Sequence, residues 1–127
     1  MLLNQNLIMK KKRIKIPIYG GELIVYILSN KKGIKKVAKR HKLGSTFGVY
    51  GMFFYEQDKN GSMKYYIVLP DDTPSWLIAH ECIHFKNEVF KHLYIKNDQT
   101  NDEPEAYFIT WAVKQCQEVL TKYGSRK

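Results

Sequence analysis

His80, Glu81 and His84 are the residues best placed to do chemistry, in His80-Glu81-Cys82-Ile83-His84 within a run from 75 to 93 that reads as helix. One helical turn separates the histidines, so both imidazoles lie on one face, about 5–6 Å apart at Cβ. Two imidazoles at that spacing can grip one metal ion. Glu81 projects beside the same face, where a carboxylate can take a proton from water on the ion without filling a coordination position. The pattern is the HExxH signature of zinc-assisted amide hydrolysis. With four His and seven Glu in 127 residues, chance would produce it in roughly one such chain per hundred or fewer. Two unrelated surface histidines are the competing reading.

A catalytic zinc site generally uses three protein ligands and leaves the fourth position open. His92 lies two turns past His84 on the same helix, too far to share the ion, and His41 belongs to a separate basic helix. The acids opening the last helix fit better, because a connection of about ten residues lets that helix fold back beside the first. Glu103 shares a stripe with Ala106, Thr110, Val113 and Leu120, and one turn later comes Tyr107, whose hydroxyl could support a ligand. Glu105 is followed one turn later by Ile109 and reads as a capping acid. Glu103 is the expected third ligand and Glu105 the fallback. Tyr107, His92 and Tyr94 are candidates to stabilise a developing oxyanion, and Tyr107 is grouped with Glu81 as catalytic. Packing or surface exposure is the competing reading for all three.

The elements that must hold these residues follow from periodicity. Residues 13–18 alternate polar and apolar, 22–28 are rich in Leu, Ile, Val and Tyr, and Gly20-Gly21 lies between: a hairpin with Pro17 on an edge strand. Over 31–42 the period becomes helical, with Ile34, Val37, Ala38 and His41 on one stripe and lysines outward. Residues 47–56 and 63–69 form a second hairpin around Asn60-Gly61. Thr73-Pro74 reads as a cap and first helical position. Ile78, Ala79, Cys82, Phe85, Val89 and Phe90 supply the buried face of the helix that follows. Asp102 and Glu105 have capping-box spacing before a last helix running to about Lys122. The order β-β-α-β-β-α-α predicts an α+β fold, a small antiparallel sheet packed on helices.

Length predicts one minimal domain spanning 1–127, with 1–10 a loose tail. Cys82 and Cys116 give no disulfide framework and suit a reducing, cytoplasmic setting; Cys82 reads as a small buried hydrophobe. Neither a signal peptide nor a membrane span is read. The net charge of +9 is uneven: residues 1–42 carry +11 and residues 43–127 carry −2. That front third could meet nucleic acid or another polyanion, although a lysine-rich solubilising surface weighs somewhat more at this level.

His80-Glu81-Cys82-Ile83-His84, eighteen residues, then Glu103 in Asn101-Asp102-Glu103-Pro104-Glu105-Ala106-Tyr107 resembles the gluzincin arrangement of zinc metallopeptidases. In size and layout the chain is more similar to short bacterial and phage-encoded metallopeptidase-like proteins with an Asp-Glu-x-x-Ala-Tyr segment after HExxH. The resemblance covers about residues 73–120. It implies one zinc ion at His80, His84 and Glu103, with Glu81 as general base acting on zinc-bound water. It also implies a strand edge above the active-site helix, from 47–56 or 63–69, where a peptide could add as an extra strand. The chain lacks the substrate-amine motif and extra domains of large aminopeptidases, so cleavage within a peptide or protein is the expectation. The alternatives are a zinc-containing interaction protein without turnover and a nucleic-acid-binding module. Retention of Glu81 favours catalysis, since a purely structural site does not need it.

Overall fold

Two β-hairpins and three helices follow one another in the expected β-β-α-β-β-α-α order; the computed structural model describes residues 9–30, 32–44 and 51–123. β1 (Met9–Lys15) pairs antiparallel with β2 (Glu22–Leu28) across a turn in which Gly20 and Gly21 take φ of 79° and 83°, a region open to glycine without penalty. β3 (Met52–Gln57) and β4 (Met63–Pro70) form the second antiparallel hairpin. The helices are α1 (Lys32–Arg40), α2 (Ser75–His92) and α3 (Glu103–Tyr123).

The sheet is mixed rather than wholly antiparallel, which corrects the expectation. Its order is β1-β2-β4-β3, and β2 runs parallel to β4 at its centre, with Val25 opposite Ile67. A parallel pair needs a crossover connection, and α1 with β3 supplies it. Each face of the two central strands is covered. Leu23, Val25, Ile27, Tyr65, Ile67 and Leu69 point into a core shared with α2 and α3. Ile24, Tyr26, Leu28, Tyr66 and Val68 pack on Ile34 and Val37 of α1. Gly33 lets α1 start close to the sheet, because a Cβ there would come within 2.8 Å of Leu28 Cδ2.

Local boundaries differ in ways that have physical causes. β1 begins earlier and ends at Lys15, so Met9 and Lys10 belong to the sheet and not to a tail; residues 1–8 lie outside the described residues, as do 47–50 of the expected third strand. Pro74, with φ −72° and ψ 154°, occupies the cap position of α2. Thr73 is buried and its hydroxyl donates to the Pro70 carbonyl instead of capping the helix. The capping box at α3 does not form, since Glu105 pairs with Lys86. Ala79 is exposed, whereas Leu77, Ile78, Cys82, Phe85, Val89 and Phe90 are buried. No helix among the described residues is long and apolar enough to cross a membrane.

Candidate metal centre

The α2 helix displays His80 and His84 on its exposed side and turns Glu81 and Cys82 inward. The two Nε2 atoms lie 3.2 Å apart. Zinc–imidazole bonds of about 2.0–2.1 Å sharing one ion across that gap would subtend roughly 100°, near the tetrahedral angle. Without an ion, one ring N–H can donate to the other ring's lone pair. Either state requires the two nitrogens to converge, and convergence is what a shared cation needs.

Glu81 is 5% exposed. Burial raises its pKa above the ordinary carboxylate value, and the neighbouring His80 and His84 oppose the rise. A carboxylate in such surroundings holds a proton more readily than one in water. Cys82, at the centre of the motif, faces α3 with its Sγ 3.9 Å from Cys116 Sγ, both thiols buried and free. It packs as the small hydrophobe expected of it.

A groove of about 480 Å³ opens beside His84, bounded by Phe53, Phe54 and Tyr55 of β3 and by Asn87 and Glu88 of α2. Glu88 follows His84 by one turn; its Oε2 is buried without a hydrogen-bond partner and lies 3.7 Å from His92 Nε2. β3 is a sheet edge, so the groove runs along a strand whose outer side pairs with no other strand among the described residues. The sequence signal for Glu88 is its spacing, four residues after His84 and so on the same helical face.

Glu103 is not brought to the histidines. It is exposed at the first position of α3, and no group of three potential ligands forms among the described residues. The reason is helical register. His84 precedes the end of α2 at His92 by eight residues, or about 12 Å. A helix folding back from the connection therefore reaches the level of the histidines only after two or more turns. The contacts agree: Glu105 pairs with Lys86, Phe108 rings meet Phe85 and Phe90, and it is Cys116 that reaches Cys82. Residues 1–8, 31, 45–50 and 124–127 contain no His, Cys, Asp or Glu, so no other part of the chain holds an overlooked protein donor of these types.

The candidates for oxyanion stabilisation are scattered too. Tyr107 is 71% exposed and lines an apolar hollow with Pro17, Ile18, Tyr19, Pro104, Phe108 and Trp111, away from the histidine groove. His92 Nδ1 lies 3.1 Å from the Tyr65 hydroxyl. Tyr94 is 94% exposed just past α2, with φ 57°. His41 belongs to the opposite sheet face, where Nδ1 is hydrogen-bonded to Glu56 Oε2 at 2.7 Å and Nε2 to the Tyr26 hydroxyl at 3.1 Å. The donor set thus fits a metal ion in part: two imidazoles and an adjacent buried carboxylate are in place, and a third protein ligand is not. In comparisons with known proteins, no family model, curated protein or solved structure matches this chain.

Proposed function

We propose that this chain is a zinc-dependent peptide hydrolase of gluzincin type, cutting within peptides or proteins, with His80 and His84 holding the ion and Glu81 moving the proton. The observation that carries the reading is the convergence of the two Nε2 atoms at 3.2 Å beside a groove bordered by a free strand edge. A zinc ion, when bound, acidifies water toward neutrality and polarises a carbonyl. Glu81, anchored one residue after His80 and shielded from bulk water, takes a proton there and returns it to the leaving amine. Glu103 would complete the ligand set only if the opening turn of α3 moved toward the histidines.

The two sheet edges support a peptide partner. β1 is lined with Lys10, Lys11, Lys12, Arg13 and Lys15, the device that blocks strand addition, whereas β3 reads Met-Phe-Phe-Tyr-Glu-Gln and carries no lysine. A peptide laid along β3 would satisfy the free backbone groups and pass His84. A polyanionic partner is supported by the exposure of every described Lys and Arg in residues 10–42. The free, buried cysteines suit the reducing cytoplasm where we place the protein.

The deciding experiment pairs metal analysis of the purified protein with cleavage of a broad peptide library. One zinc per chain, cleavage by the wild type, and a Glu81→Gln variant that keeps metal but loses cleavage is the expected result. Zinc without turnover of any library member would shift the reading to a metal-bound interaction protein. Absence of metal from protein never exposed to chelator would end both.

A further inference from the structure

The strongest feature outside the histidine groove is electrostatic. Lys10, Lys11, Lys12, Arg13 and Lys15 of β1, Lys32, Lys35, Lys36, Lys39 and Arg40 of α1, and Lys42 after it are all exposed. The single acid in residues 1–42, Glu22, is held by Arg13 through Nη2–Oε1 at 2.7 Å. Among the described residues of this stretch, the other ten cations form no ion pair to a carboxylate.

Register shows how many of them share one side of the molecule. Lys11 stands opposite Tyr26 and Arg13 opposite Ile24, and both partners belong to the core beneath α1. Directly paired residues point to the same sheet face. Lys11, Arg13 and Lys15 therefore emerge on the α1 side, about 7 Å apart. The exposed stripe of α1 lies on that side as well, because Gly33, Ile34, Val37 and Ala38 are its buried stripe. Edge protection explains lysines on β1; it does not explain four more, with Arg40, on a helix that covers no edge.

What is missing from this face narrows the partner. Among the described residues the large exposed apolar ones are Ile18, Tyr55, Trp76, Ile83, Leu93, Tyr94 and Tyr107, and none of these lies on β1 or α1. A single-strand binder stacks bases on aromatic side chains, and a membrane-surface helix sinks an apolar face into lipid. Charge without either device matches a phosphate backbone read for its charge alone. We infer that the β1–α1 face docks the backbone of a nucleic-acid duplex without regard to sequence. α2 packs on the other sheet face, so a docked duplex leaves the histidine groove uncovered and the protein tethered rather than inhibited.

The test uses the full chain and a short fluorescein-labelled DNA duplex, read by anisotropy across a salt series. Neutralising Lys35, Lys36, Lys39 and Arg40 to Gln should weaken binding at least tenfold at about 50 mM salt and flatten the log–log salt slope by about three to four. Neutralising Lys91, Lys96, Lys114 and Lys122, the same charge change on the α2–α3 side, should move the affinity less than threefold. Stripping metal with chelator should change nothing, which keeps this outcome separate from the fate of the hydrolase reading. Equal loss in both quadruple variants, tighter binding to single strands, or binding to equimolar phosphatidylcholine–phosphatidylserine vesicles but not to duplex would each overturn the inference. So would the absence of duplex binding at low salt.

Discussion

The ammonium group of Lys86, whose side chain is 4% exposed, is bound to the carboxylate of Glu105 across the seam between α2 and α3, with Asn97 Oδ1 at 3.4 Å. A cation this far from water depends on its partner. Glu105→Gln should destabilise the fold by about 2–3 kcal/mol, somewhat less than for a wholly buried pair because Glu105 keeps partial access to solvent. Replacing both residues with Met should recover most of that loss. Urea unfolding at neutral pH, compared through the midpoint at constant m-value, measures it.

Zinc affinity separates the two histidines from the acids of α3. His80→Ala and His84→Ala should each weaken zinc binding by a hundredfold or more, on the order of 3 kcal/mol, since either change removes half of the converged pair. Glu103→Gln and Glu105→Gln should leave it within about threefold, roughly 0.7 kcal/mol. Isothermal titration with zinc gives all four values, and a large loss in Glu103→Gln would show that α3 moves on loading.

Peptides that add along β3 would bind through backbone donors. N-methylation at alternate peptide nitrogens, those facing the strand, should raise Kd by about three- to tenfold per lost hydrogen bond. Methylation at the intervening nitrogens should have little effect. The period of two in that series, measured with the Glu81→Gln variant so that nothing is cut, is the signature of strand addition.

At alkaline pH the tyrosines on β4 should control stability. Burial, reinforced by Glu88 and Tyr55, pushes Tyr65 from 10.0 to about 12, and burial with the Glu56 hydrogen bond raises Tyr66 further. The folded chain therefore keeps phenolic protons that the unfolded chain releases near pH 10. Stability from this source is complete below pH 10 and falls as pH rises toward 12, by on the order of 1–2 kcal/mol for Tyr65. Unfolding midpoints between pH 8 and pH 11.5 should decline less steeply in Tyr65→Phe than in the wild type.

Much of this was readable from local pattern. Both hairpins followed from alternation around Gly20-Gly21 and Asn60-Gly61, and the helical placement of His80, Glu81 and His84 from the apolar stripe beneath them. The parallel pairing of β2 with β4 was not read, because it joins segments far apart in sequence. A clue existed: Glu22–Leu28 and Met63–Pro70 are nearly continuous apolar runs, which mark strands covered on both faces. Glu103 was placed by spacing along the chain, which does not register how far α2 runs past His84. Folding α3 back was right in direction, but α2 continues too far past His84 for the first turn of α3 to meet it. Glu105 looked like a cap because capping is a local pattern, whereas its partner Lys86 is a tertiary contact.

The central ladder also sets the order in which the chain can assemble. Each hairpin closes over a few residues and can form within microseconds. The Val25–Ile67 neighbourhood joins only after a loop of some forty residues has closed, and the entropy of that closure is unrewarded until both hairpins exist. Docking of one preformed hairpin against the other is then the slow event. Substitutions that weaken the β2–β4 seam should slow folding, while those at the exposed histidines should leave its rate untouched.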